Sequence, residues 1–67
     1  MKFGDSVRRL RKERDLSQEA LAERASLSAD FLGFIERGEN VPTLTTILQL
    51  ARALGVQPST IIKDFDE

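Results

Sequence analysis

Cysteine and histidine are both absent from the 67 residues. A disulfide framework is therefore excluded, and so are the usual zinc ligand sets. Acid–base or nucleophilic catalysis loses its commonest side chains, and paired acids on short helices have no shaped pocket in so small a chain. No enzyme, no cofactor and no metal are expected. The lack of cysteine also fits a reducing compartment. Long hydrophobic runs are missing as well. Hydrophobic residues make up 40% of the chain, but they fall at spaced positions and never approach the roughly 18 apolar residues of a membrane span. The N-terminal Met1-Lys2-Phe3-Gly4-Asp5-Ser6 places an acid where a signal peptide would be apolar, so no secretion signal is read. Alternating strand patterns are absent too, and an all-α fold is expected.

A large charge excess of either sign is lacking, since the net charge is −1. That total conceals an asymmetry. Residues 1 to 24 carry seven basic and five acidic side chains, whereas residues 25 to 67 carry three and six. The sum weighs mildly against strong nonspecific nucleic-acid binding. It leaves room for a local basic face, because electrostatic attraction decays over about 8 to 10 Å at ordinary salt.

What is present reads as one domain over residues 1–67, a compact five-helix bundle with a small core. Phe3, Val7 and Leu10 recur at helical spacing and predict a first helix over about residues 3 to 14. Ser17 stands where an N-cap hydroxyl belongs, opening a second helix over about residues 18 to 25 with Leu21, Ala22 and Ala25 inward. Ser28 opens a third over about 29 to 37, with Leu32 and Ile35 inward and Gly38 as its left-handed terminator. Val41-Pro42 breaks the chain. Thr43 then caps a fourth helix over about 44 to 54, whose inward face is expected to be Leu44, Ile47, Leu48, Ala51 and Leu54. Gly55 stops it, and Pro58 fits the first position of a fifth helix.

The segment from about residue 17 to 37 is the most informative. Only Ser26 and Leu27, followed by capping Ser28, separate the second and third helices, so these must cross steeply and leave the third projecting. Ala22 is small enough to let that helix approach, and Leu27 and Ile35 fill the space between. This is the pattern of a helix-turn-helix, the geometry that lays a helix in the DNA major groove.

Four blocks extend the pattern: Val7-Arg8-Arg9-Leu10-Arg11, Leu16-Ser17-Gln18-Glu19-Ala20-Leu21-Ala22, Ile35-Glu36-Arg37-Gly38 and Leu50-Ala51-Arg52-Ala53-Leu54-Gly55-Val56. In these the chain resembles the Cro/cI-type, lambda-repressor-like (Xre) helix-turn-helix domains over about residues 3 to 62. The resemblance implies a sequence-specific transcriptional regulator, a dimeric repressor or controller that binds double-stranded DNA in the cytoplasm of a prokaryote, associated with the nucleoid. By position it places Gln18 on a phosphate. It puts Ser28, Ala29, Asp30, Gly33 and Phe34 on the groove-facing side of the third helix, and Arg37, Asn40 and Thr43 around the loop where backbone phosphates pass. It also implies a structural salt bridge between Arg11 and Glu36, read here as a partly buried, bidentate pair that fixes the first helix against the reading helix.

Three positions depart from the family pattern. Asp15 and Ser26 stand where glycine is common, at sites that favour a left-handed backbone; serine there costs roughly 1 kcal/mol. Gly33 lies inside the reading helix, where it either admits a phosphate or base edge closely or marks a relaxed constraint; close approach is the preferred reading. The reading face lacks arginine and glutamine before Arg37, and these supply most direct major-groove discrimination. Asp30 can accept from a cytosine amino group. Phe34 can lie on a thymine methyl or pack inward, and Phe31 is read as packing. Arg8, Arg9, Arg11, Lys12 and Arg14 form a basic run on the first helix that reads, as a type, as a solvated face, with one or two members expected on phosphates and Arg8 or Arg9 the candidate.

A homodimer on an inverted repeat would set half-sites about one helical turn, roughly 34 Å, apart. Ile61, Ile62 and Phe65 are the candidate dimer residues, with burial in the monomer the alternative for both isoleucines. A rival reading is a protein-interaction module, an antitoxin or adaptor with weak DNA binding, favoured by the acidic second half and by Phe34. The start at Met1 and the acidic end suggest a complete small protein rather than one domain of a longer regulator.

Overall fold

The hydroxyls placed by the sequence open three of the helices. Ser17 Oγ accepts from the Ala20 N–H at 3.0 Å, Ser28 Oγ from Phe31 at 3.1 Å and Thr43 Oγ1 from Thr46 at 3.2 Å. Each satisfies a backbone donor that the first turn leaves without an intrahelical partner. In the computed structural model, which describes residues 2–40 and 42–63, the elements are α1 (Lys2–Glu13), α2 (Gln18–Arg24), α3 (Ala29–Glu36), α4 (Leu44–Leu54) and α5 (Pro58–Ile62). No strand occurs among the described residues.

The ends share one device. Asp15, Ser26, Gly38 and Gly55 take φ values of 55°, 60°, 76° and 73°. The residue after each returns a hydrogen bond to the last turn: Leu16 to the Arg11 carbonyl, Leu27 to Ala22, Glu39 to Phe34 and Val56 to Ala51. These are Schellman closures. Asp15 and Ser26 therefore occupy the left-handed conformation that glycine takes more cheaply. In three of the four closures an apolar residue follows, and Leu16, Leu27 and Val56 all pack on the core.

That core is one cluster. Phe3, Val7 and Leu10 of α1 meet Leu21, Ala22 and Ala25 of α2 and its cap, Leu32 and Ile35 of α3, Ile47, Leu50, Ala51 and Leu54 of α4, and Ile61. The backbones of α1 and α3 also approach closely at Gly4. A side chain at Gly4 would put its Cβ 2.5 Å from the Ile35 carbonyl oxygen and 2.6 Å from that of Glu36, so α1 sits directly on the end of α3.

The structure corrects three expectations. The inward face of α4 is Thr46, Ile47, Leu50, Ala51 and Leu54, while Leu44 and Leu48 are 64% and 45% exposed. The apolar residues of α4 make two overlapping stripes with helical spacing, and packing selects the one that carries Leu50. Second, Ile61 is fully buried in the bundle and offers no surface to another chain, whereas Ile62 is exposed. Third, Arg14 is exposed but is more than a solvated charge. Its Nε donates to the Leu54 carbonyl at 2.6 Å and its Nη1 to Leu10 at 3.2 Å, tying α1 to the C-terminus of α4. Val41 and the C-terminal Asp64, Phe65, Asp66 and Glu67 lie outside the described residues, so the expectation for Phe65 falls there too.

Candidate nucleic-acid interface

Two caps and a left-handed serine fix the angle of α3 to α2, and the Arg11–Glu36 pair fixes it to α1. Arg11 Nε donates to Glu36 Oε2 at 2.7 Å and Nη2 to Oε1 at 3.1 Å, a side-on bidentate geometry. Arg11 Nη1 donates to the Leu16 carbonyl at 2.8 Å. Both partners are buried. Gln18 joins the network, its Nε2 donating to Glu36 Oε1 at 3.0 Å. Each of the three guanidinium nitrogens thus donates to an acceptor, and such pairing is the condition under which a buried ion pair is tolerated. The first residue of α2 is oriented by the same carboxylate.

On the outside of α3, Ser28, Asp30, Phe34 and Arg37 are exposed and Ala29 is half-buried. Asn40 and Thr43 are exposed around the following loop. Phe31 is half-buried against the core. Phe34 does not pack inward; it is 40% exposed, and the Arg37 guanidinium carbon lies 5.1 Å from its ring centroid, a cation–π arrangement. Arg37 also pairs with Glu39, Nε to Oε2 at 3.1 Å and Nη2 to Oε1 at 3.4 Å. That hydrogen bond raises the already high pKa of Arg37, with the charges of Glu39 and Asp30 adding to it, so the guanidinium is permanently cationic.

Gly33 differs in exposure from the other groove-facing candidates. It is buried, and a Cβ there would sit 3.2 Å from Arg37 Nη1 and within 3.9 Å of the Gln18 amide. The space above its missing side chain is taken by the ends of the Arg37 and Gln18 side chains. An interior glycine costs α3 about 1 kcal/mol relative to alanine, so the room comes at the expense of helix stability.

Beside this face Arg8, Arg11, Lys12, Gln18, Glu36 and Arg37 line a cleft of about 350 Å³. Four cations against one carboxylate give the local basic face that the net charge of −1 conceals. Arg8 belongs to this cleft, whereas Arg9 turns to Glu13 at 3.8 Å and to Ser6. Lys12, grouped by sequence with the basic run of the first helix, lines the cleft as well, and Glu39 carried no signal in the sequence. The signal for Lys12 was its spacing of four from Arg8, which puts both on one row of α1.

This arrangement, a helix-turn-helix braced by a third helix with a cationic cleft at its flank, defines a DNA-binding domain of the lambda-repressor-like class. A family model described as a helix-turn-helix domain matches residues 2–61, and the chain belongs to that family, a class of DNA-binding transcription regulators rather than enzymes. Among similar proteins is the immunity repressor of Bacillus phage phi105, 45% identical over 62 residues. The match covers 92% of this chain but 43% of the repressor's length. The restriction-modification controller protein C.AhdI of Aeromonas hydrophila superposes with a TM-score of 0.88 at 42% identity, covering 90% of this chain and 91% of that one. The DNA-binding domain of the P22 c2 repressor gives 0.89 at 28% identity, covering 94% and 83%. No helix among the described residues is long and apolar enough to cross a membrane.

Proposed function

We propose that the chain is one helix-turn-helix domain that acts in the cytoplasm as a dimeric repressor or controller on an inverted-repeat operator. In this reading α3 enters the major groove. Ser28, Ala29, Asp30 and Phe34 face the base edges, while Gln18, Arg37, Asn40 and Thr43 hold the flanking backbone. The observation that carries it is the exposed outer face of α3 set beside a cleft with four cations in a chain of net charge −1. Base contacts are few and short, so affinity rests on phosphate positioning, DNA shape and apolar contact of Phe34 more than on bidentate pairs.

The dimer surface is best sought on α4 and α5. Leu44 and Leu48 are one turn apart and exposed, Ile62 is exposed, and Leu48 lines a groove with Ala51, Arg52, Val56 and Pro58. Selection of bound duplexes from a random pool tests the whole reading. It should return an inverted repeat with half-sites about one helical turn apart. Recovery of no enriched sequence would reject it in favour of a protein-interaction module.

A further inference from the structure

The reading helix has no long basic side chain in its first two turns, yet the fold returns one to it. Side chains on a helix lean toward its N-terminus, and Arg37 therefore reaches back over the position four residues earlier, which is Gly33. The missing side chain there lets Nη1 lie where it would stand 3.2 Å from a Cβ. Phe34 supports the guanidinium from one side, at 5.1 Å from its ring. Folded back in this way, Arg37 lines the same cleft as Arg8 and Lys12 of α1 and Gln18 of α2. Within the cleft the Arg11 and Glu36 charges satisfy each other, which leaves Arg8, Lys12 and Arg37 for an anion. The Nε and Nη2 edge of Arg37 is meanwhile held by Glu39, both groups being about half exposed.

We propose that Gly33 is a slot for Arg37, and that the folded-back Arg37, with Arg8 and Lys12, clamps a single backbone phosphate of duplex DNA, Glu39 serving as the internal counter-ion that the phosphate displaces. The clamp joins α1 to α3 through the ligand, so it reports the docking angle of the reading helix rather than any base. It rests on the reading of this face as a DNA interface, and it adds residues and a mechanism to it.

The test uses the full chain and a duplex selected from a random pool, carrying single neutral methylphosphonate substitutions scanned along each strand. With the parent, one substitution near the end of the site should weaken binding through this cleft. Arg8→Ala and Arg37→Ala should each lose sensitivity at that same phosphate, and the variant with both changes should bind more tightly than the two separate losses multiplied would give. Gly33→Ala should lose sensitivity there as well while its melting temperature stays level or rises, because alanine favours the helix. Glu39→Gln should tighten binding to every duplex by roughly 2- to 5-fold, the scale of an exposed ion pair. Loss of sensitivity at two different phosphates, strictly multiplicative losses, or a Gly33→Ala variant that binds like the parent would overturn the clamp. A parent that binds no duplex at low salt would instead reject the DNA reading itself.

Discussion

Removing Glu36 should cost this protein more than any other single charge. Glu36→Ala leaves Arg11, a residue 9% exposed, with one acceptor for its guanidinium, the Leu16 carbonyl, and two unmatched donor groups. Gln18 loses its partner at the same time. Breaking a buried pair from one side is worth about 3–5 kcal/mol, because the remaining charge is stranded. A chain of this length is stable by roughly 3–10 kcal/mol at the usual value per residue, so the loss is a large fraction of the whole. For domains of this size each kcal/mol moves the melting temperature by about 4–8 °C. The drop should therefore exceed about 12 °C. Urea unfolding followed by circular dichroism measures the same loss as a lower midpoint at unchanged slope. The paired replacement Arg11→Met/Glu36→Leu should recover most of it, since no charge is left unpaired. A loss below about 1 kcal/mol for Glu36→Ala, the value of an exposed pair, would refute the burial argument, as would strictly additive effects of the two single changes.

Other changes separate packing, backbone strain and assembly. Gly4→Ala drives a methyl group into the Ile35 and Glu36 carbonyl oxygens; a destabilisation of about 1–3 kcal/mol, typical of overpacking, should appear in thermal melting, and a neutral result would mean α1 can shift away freely. Ser26→Gly relieves a positive φ of 60° and should stabilise by up to roughly 1 kcal/mol, less the greater flexibility glycine gives the unfolded chain. Leu48→Glu should leave the melting temperature close to that of the parent, since the side chain is 45% exposed, yet should shift sedimentation to the monomer if α4 forms the dimer surface. Asp30→Ala should change which duplexes are selected, whereas Asn40→Ala should weaken binding evenly across sequences.

The caps and the turn were legible because they depend on a few adjacent residues: Ser17, Ser28 and Thr43 each act within one helical turn, and Asp15 and Ser26 took the left-handed conformation that their places in the family pattern implied. The Arg11–Glu36 pair, 25 residues apart, was reached only through resemblance, since no local rule links such positions. Long-range packing hid the rest. The choice between two stripes on α4 depends on where α2 and α5 lie, and the role of Gly4 depends on the end of α3 arriving above it. The bond from exposed Arg14 to the Leu54 carbonyl emerges only when α4's C-terminus is placed beside it. At the interface, exposure of Phe34 could not be decided from spacing, because Ile35 satisfies the inward position without saying where its neighbour goes. Gly33 was singled out by its helix penalty, but its occupant, Arg37, came from the opposite end of the same helix.

Under the proposed function this face grips DNA mainly through the DNA backbone. Affinity for a selected duplex, measured across a salt series, tests it most directly. Log affinity should fall linearly with log salt, with a slope of several units at about 0.9 per phosphate contacted, and binding to unrelated duplexes should show a similar slope at lower affinity. Absence of binding to any duplex at about 50 mM salt, or affinity nearly independent of salt, would contradict it.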